Sequence, residues 1–333
     1  MISTLLNLPV WNYIIALVIG LMLLWKFLTS RKTVLPSAGK AVLISGCDSG
    51  IGNHLARRLH AEGFVVFAGC LLPEGEGAKA LKRLSSPQLL VLPLDITSDF
   101  SVSEAIQFVR DNSPEAGLWA LINNAGVCVY GEFEWQTWNQ CTTQVEINLM
   151  GTIRLTKLCL PLIRRSSGRI VNITSINGSC AFPGLSTYSA TKFGLEGFSD
   201  SLRLEMTKFN VRVVVIQPGD LARLTNIMQD HRIHADRMWS QMNTEQKNLY
   251  GNYFYKYHQF ICENYGMTSP PNFESSSLFT DVLEALSILK PQPRYVSAPW
   301  QFRYFYRILQ ILPTRWSDKL VEFLFARVFK FKL

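Results

Sequence analysis

Short, wholly apolar runs alternate along this chain with segments of helical period, and that alternation leaves few folds open. KAVLISG (40–46), FVVFAG (64–69), LLVLPL (89–94), LWALIN (118–123), RIVNIT (169–174), VRVVVI (211–216) and RYVSA (294–298) lack the polar alternation of a half-exposed strand. Such runs suit parallel strands buried on both faces. Helices fit between them at 51–62, 101–111, 136–165, 187–208 and 275–289; in the first, Ile51, Leu55 and Leu59 share a face. About seven strands alternating with helices predict a doubly wound parallel α/β sheet, since parallel neighbours need right-handed crossovers.

Composition narrows the class further. Hydrophobic residues make up 48% of the 333 and charged residues 17%, against about 25% charged in ordinary soluble proteins. A disordered chain is excluded. The seven cysteines (47, 70, 128, 141, 159, 180 and 262) show no CxxC spacing, so neither a zinc site nor a disulfide-stapled fold is expected. His231 and His234 have no third ligand cluster nearby, so a solvated loop is expected there and no metal site.

The ends of the chain point to a membrane. Residues 1–25 carry no charged side chain, and Lys26, Arg31 and Lys32 follow. Leu5–Trp25 is 21 residues, close to the ~20 that cross a bilayer. A cleaved signal would start with positive charge and end in small residues, so a retained N-terminal transmembrane helix is expected. The basic flank places the following domain in the cytosol. From residue 303 on, Arg303, Arg307, Arg315, Lys319, Arg327, Lys330 and Lys332 face only Asp318 and Glu322, among many aromatic and aliphatic residues. Such a tail suits an anionic membrane surface. No nucleic-acid module signature accompanies it, so membrane lipid is the expected partner and nucleic acid is not.

The first strand runs into Gly46-Cys47-Asp48-Ser49-Gly50-Ile51-Gly52, spaced G-x-x-x-G-x-G, and then into the amphipathic helix. Glycine is needed where the chain turns with positive φ and where backbone approaches a pyrophosphate. The helix N-terminus offers N–H groups to the phosphates. A Rossmann-type dinucleotide site is therefore expected. The second strand ends at Gly69-Cys70-Leu71 without the acid that marks NAD or the Arg that marks NADP. With no basic residue there for a 2′-phosphate, NAD is expected rather than NADP.

Ser175 ends the fifth strand, and Tyr188-Ser-Ala-Thr-Lys192 follows. Positions i and i+4 share a helix face. Removing hydride from an alcohol needs a base for its hydroxyl proton. A free phenol, with a pKa of ~10, is a poor one. A nearby ammonium and a nicotinamide charge favour phenolate. Lys192 would supply that charge and hold the nicotinamide ribose, and Ser175 would hydrogen-bond the substrate oxygen.

These residues resemble the short-chain dehydrogenase/reductase family over about residues 40–300. Gly46-x-x-x-Gly50-Ile51-Gly52, Asn123-Asn124-Ala125-Gly126, Asn148, Ser175, Tyr188-x-x-x-Lys192 and Pro218-Gly219 stand in the family's order. The resemblance implies that Asn148 completes a catalytic tetrad through a proton-relay water. It implies that Asn124, Ala125 and Gly126 line the adenosine side, that Asp95 meets the adenine, and that Pro218-Gly219 flanks the nicotinamide. Ser45 stands where the family usually has Thr, and Asp220-Leu-Ala-Arg is an unusual start to the substrate loop. SGCDSGIG, FVVFAGCL, GLWALINNAG and CLPLIRR resemble the branch of retinol dehydrogenases, hydroxysteroid dehydrogenases and mitochondrial D-3-hydroxybutyrate dehydrogenase. That branch is mostly membrane-bound and NAD-linked, and in the family the helices around 136–165 and 187–208 often build homodimers.

The expected organisation is an anchor with its basic flank at 1–32, a Rossmann-fold dehydrogenase domain at 33–300 and a membrane-associated tail at 301–333. Within the domain, 221–293 covers the substrate. It holds Trp239, Tyr250, Tyr253, Phe254, Tyr255, Tyr257, Phe260, Tyr265 and Phe273, which suit either a large apolar ligand or the core of a lid. A steroid or retinoid alcohol is the expected substrate. 3-Hydroxybutyrate is the alternative, with Arg223, Arg232 and Arg237 available as a carboxylate clamp. A mitochondrial import peptide would be Arg-rich and amphipathic, so the endoplasmic reticulum membrane is expected before the mitochondrial one. A membrane-tethered binding protein without turnover is the reading from another class; a broken tetrad would mark it, and here all four members stand.

Overall fold

The computed structural model describes residues 10–29, 33–219, 221, 225–265 and 276–329, with side chains from residue 12 to 25 in the first stretch and to 327 in the last. The chain divides into two compact units, one of residues up to Leu35 with Ile288–Lys290, the other of Pro36–Ser287 with Pro291–Leu333. The first unit contains helix α1 (Val10–Thr29) and an antiparallel bridge between Val34 and Ile288. The α1 side chains that are described, Asn12–Trp25, are exposed and span fourteen residues. Among the described residues no helix is long and apolar enough to cross a membrane.

The second unit is built on seven parallel strands: β1 (Ala41–Ser45), β2 (Val65–Cys70), β3 (Leu89–Pro93), β4 (Leu118–Asn123), β5 (Arg169–Ile173), β6 (Arg212–Pro218) and β7 (Arg294–Ser297), in the order β3-β2-β1-β4-β5-β6-β7. The doubly wound sheet expected from the apolar runs is therefore present, with boundaries moved by one or two residues. Val42 and Ile44 enter one apolar layer, Ala41 and Leu43 the other. All four are fully buried, which is why β1 shows no polar alternation. Each larger side chain so buried contributes about 1.5–3 kcal/mol. The order reverses between β1 and β4, and in open α/β sheets ligands bind at the strand C-termini beside such a reversal.

The crossovers are α2 (Gly50–Ala61), α3 (Glu76–Lys82), α4 (Asp99–Asn112), α5 (Trp138–Val145), α6 (Thr152–Arg165), α7 (Ser186–Met206) and, after helices α8 (His231–Gln241) and α9 (Thr244–Tyr265), α10 (Leu278–Ser287). The helix expected over 136–165 is helical from Trp138 to Arg165 and widens at its middle. A π-helical turn, Glu146–Gly151, separates α5 from α6, centred on a side chain bonded to a neighbouring loop. Such turns gather at functional sites. The region expected to cover the substrate holds α8 and α9. Helices α11 (Trp300–Ile311) and α12 (Thr314–Phe329) fall in the same compact unit as the sheet. Tyr306 and Leu309 of α11 pack with Ile176 and Cys180.

Candidate active site

The turn after β1 is closed by contacts that only glycine allows. Gly46 and Gly50 have φ of +72° and +55°. A Cβ on Gly52 would lie 2.2 Å from the Gly46 carbonyl oxygen and 2.5 Å from Asn124 Nδ2. The Ser45 hydroxyl accepts from the backbone N–H groups of Asn124 and Ala125, both at 3.1 Å. Asn124 Nδ2 donates to the carbonyls of Ser45 (2.9 Å) and Gly46 (3.0 Å). Asn124 thus locks the turn to the end of β4, and Ser45 keeps the hydroxyl this requires. Ser49 caps α2 in extended conformation without a side-chain bond to the first helical N–H groups. A glycine-walled turn and a helix end without a side-chain cap fit the pyrophosphate of a dinucleotide.

Asp48 has a place the linear sequence conceals. Its carboxylate accepts from the N–H groups of Leu71 (2.9 Å) and Leu72 (2.7 Å). The end of β2 therefore does hold an acid, supplied by the glycine turn. Gly77 of α3 also backs the turn, since a Cβ there would fall 1.7 Å from the Asp48 carbonyl oxygen. Asp95 follows β3 and turns one carboxylate oxygen to the N–H (2.9 Å) and hydroxyl (2.7 Å) of Thr97. Pro218 ends β6, and Gly219 N–H donates to the Ser297 carbonyl at 3.0 Å. Ile51 of α2 is partly buried and packs on the core.

Beyond the turn, α7 carries Tyr188 and Lys192 to the end of β5, where Ser175 follows. All three are buried. Lys192 Nζ donates to the Ile173 carbonyl (3.1 Å) and lies 5.7 Å from the centre of the Tyr188 ring. Asn148, in the π turn, accepts from Val127 N–H (2.8 Å) and donates to the Val127 carbonyl (2.8 Å) and Thr191 Oγ1 (3.2 Å). Thr191 in turn donates to the Tyr188 carbonyl at 2.7 Å. Sequence reading passed over Thr191, which sits inside the Tyr-x-x-x-Lys motif. A Cβ on Gly126 would lie 3.2 Å from Asn148 Oδ1 and 3.7 Å from Lys192 Nζ, so glycine is what lets this loop approach.

Electrostatics in this pocket differ from the expectation. Burial lowers Lys192 to about 8, with the Cys128 sulfur and the Glu196 carboxylate working the other way. Burial also pushes the Tyr188 phenol up, the Cys128 thiol adds to it, and only the Ser175 hydrogen bond works the other way. In the protein alone, burial governs the phenol.

Cys128, Leu185 and Tyr188 pack with Tyr130, Phe182 and Ile227. Tyr130 stacks on Tyr265 at 5.9 Å. Most other aromatic rings of 221–293 that are described pack on one another and on Trp135 in an apolar cluster of their own. Tyr250, Tyr253, Phe254 and Tyr257 surround Trp135 at 5.2–5.6 Å. Trp239 packs on Phe254 and Tyr255, and Phe260 joins the same cluster. Phe273 lies outside the described residues. The solvated loop expected at His231 is instead α8. His231 is buried and shares a 3.0 Å contact with His258, and His234 lies beside Gln140. Arg232 and Arg237 are exposed on α8, and Arg223 and Asp220 lie outside the described residues. Among the described residues no three His, Cys, Asp or Glu side chains are grouped to hold a metal.

Comparison with known proteins agrees with this geometry. The family model described as short chain dehydrogenase matches residues 40–235. The mitochondrial D-beta-hydroxybutyrate dehydrogenase of Rattus norvegicus is 38% identical over 290 residues, 85% of this chain and 84% of its own. Retinol dehydrogenase 7 of Mus musculus is 38% identical over 314 residues, 93% and 96% of the two chains. The 17-beta-hydroxysteroid dehydrogenase type 6 of Bos taurus is 36% identical over 313 residues, again 93% and 96%. A chain with this sheet order, this glycine turn and these relatives belongs to the short chain dehydrogenase family and is an oxidoreductase acting on alcohols.

Proposed function

We propose that the protein is a membrane-anchored, NAD-linked dehydrogenase of a lipophilic secondary or allylic alcohol, a steroid or retinoid, with Tyr188 as the base. The observation that carries this reading is the convergence of Tyr188, Ser175, Lys192 and Asn148 in one buried pocket beside the glycine turn. Bound oxidised nicotinamide supplies the hydride acceptor and a positive charge. Tyr188 takes the hydroxyl proton. Ser175, already in hydrogen-bond reach of the phenol, steadies the substrate oxygen as its charge changes. Lys192 holds its ammonium beside the phenol, and Asn148 fixes the loop and helix on either side of it. Gly46, Asp48, Ser49, Gly50, Ile51, Gly52, Asp95, Asn124, Ala125, Gly126, Pro218 and Gly219 line the cofactor's path, with Tyr188 and Lys192 at its reactive end.

The Asp48 carboxylate at the end of β2 supports NAD over NADP, because it repels a 2′-phosphate. Tyr130, Phe182, Leu185 and Ile227 around Tyr188 support an apolar substrate. The exposed Trp300, Tyr304, Ile308, Ile311, Trp316 and Phe323 of α11 and α12, interspersed with Arg307, Arg315 and Lys319, support contact with a lipid surface. The exposed Met150, Leu158, Phe193 and Leu204 around α6 and α7 support a homodimer. Residence follows the uncharged N-terminal segment, in the endoplasmic reticulum membrane with the catalytic domain in the cytosol, the mitochondrial membrane being the alternative. A second reading, 3-hydroxybutyrate oxidation, is favoured by the rat relative, and the exposure of Arg232 and Arg237 weighs against it.

The test is turnover of detergent-solubilised protein with NAD on a steroid, retinol and 3-hydroxybutyrate. A higher kcat/KM on a lipophilic alcohol is expected. Tyr188→Phe should lower turnover by about 100- to 10,000-fold. Undiminished turnover in that variant removes the base, and preference for hydroxybutyrate selects the second reading. Dinucleotide binding without turnover on any alcohol indicates a binding protein.

A further inference from the structure

Glu196 lies one helical turn beyond Lys192 on α7, buried and without a role in the steps above. Its carboxylate accepts from Thr174 Oγ1 (2.6 Å), Gln217 Nε2 (3.0 Å), Arg294 Nε (2.9 Å) and Arg294 Nη2 (2.7 Å). These donors come from the ends of three adjacent strands. Thr174 immediately precedes Ser175, and Gln217 immediately precedes Pro218-Gly219. A Cβ on Gly178 would lie 2.9 Å from Glu196 Cγ, so the turn after Ser175 rests directly on this side chain.

We propose that Glu196 is a positioning residue for the reaction: one buried carboxylate fixes the ends of β5 and β6 against the helix that carries Tyr188 and Lys192, and places a negative charge beside the Lys192 ammonium. The proposal rests on the reading of Tyr188 as base. Lys192 sits where burial works against its ammonium, and Glu196 opposes that effect. The other groups facing Lys192 are Cys128 from the loop after β4, the Ile173 carbonyl of β5 and the Tyr188 ring of its own helix. Arg294 faces Glu196 from β7 and also pairs with Asp200 at 3.2 Å.

Glu196→Gln keeps the shape and the acceptor for Thr174 and Gln217, and Arg294 retains Asp200, so no buried charge is left alone. Loss of the negative neighbour disfavours the ammonium, and Lys192 gives up its proton at lower pH. At one helical turn's separation the shift is about one pH unit. The expected result is a kcat–pH profile whose alkaline limb moves down by about one unit, with kcat at the optimum roughly tenfold lower. Glu196→Gln combined with Arg294→Gln, which removes both charges, should return the limb toward its original position. A lower kcat with the limb unmoved, or an unchanged kcat, overturns the proposal; the first result marks a purely structural ion pair. Tyr188→Phe measured alongside separates the two readings. Undiminished turnover there fails the base assignment, whereas a Tyr188→Phe turnover lowered by about 100-fold or more with an unmoved Glu196→Gln limb fails Glu196 alone.

Discussion

Asp48→Asn isolates one charge at the end of β2. The carboxylate accepts one N–H on each oxygen, from Leu72 at 2.7 Å and Leu71 at 2.9 Å. The amide has one acceptor oxygen, so one of the two bonds is lost, at a cost of about 1 kcal/mol in stability. The larger effect falls on cofactor choice. A unit negative charge about 5 Å from a 2′-phosphate charge repels it by about 3 kcal/mol at an effective dielectric of 20, and by under 1 kcal/mol in water. Asp48 is only partly buried and salt screens the pair, so about 1.4 kcal/mol is expected, a factor of about ten. Titration of NADH and NADPH by fluorescence should give a ratio of dissociation constants about tenfold less favourable to NADH in Asp48→Asn than in the parent protein, with a thermal midpoint a few degrees lower. An unchanged ratio in a folded variant would refute the reasoning, because the carboxylate would then serve the turn alone.

Two further expectations come from packing and burial. Gly77→Ala places a methyl group 1.7 Å from the Asp48 carbonyl oxygen. It should lower stability by about 3 kcal/mol in urea unfolding and weaken NADH binding, and an unchanged midpoint would deny the contact. His231 and His258 titrate at about 4 and about 3, because burial disfavours their charged rings. Below pH ~6.5 the unfolded chain therefore binds more protons than the folded one, and stability falls with pH by about 1 kcal/mol per unit for each histidine, down to about pH 4. Unfolding midpoints measured from pH 7 to 4.5 should fall less steeply in His258→Leu; equal slopes would show that the pair is not the cause.

Legibility followed the range of the interaction. The strands were readable because Val42, Leu43 and Ile44 are buried on both faces of the sheet, which leaves a continuous apolar run. Tyr188 and Lys192 were readable because one helical turn joins them. The helix expected over 136–165 runs from Trp138 to Arg165, but its π turn was not readable, because the Asn148 amide at its centre bonds Val127, 21 residues away. The aromatic richness of 221–293 supported two uses, and period alone does not show that most of the described rings pack around Trp135.

The order of apolar runs determined the sheet, the glycine spacing determined the turn, and the Tyr-x-x-x-Lys spacing determined which side chains share a face, because each depends on local period alone. The tertiary structure decided that an acid serves the end of β2 from a loop 23 residues earlier, and that Glu196 meets an arginine 98 residues later. Such partners are chosen by the register of strands brought side by side, which no local pattern specifies.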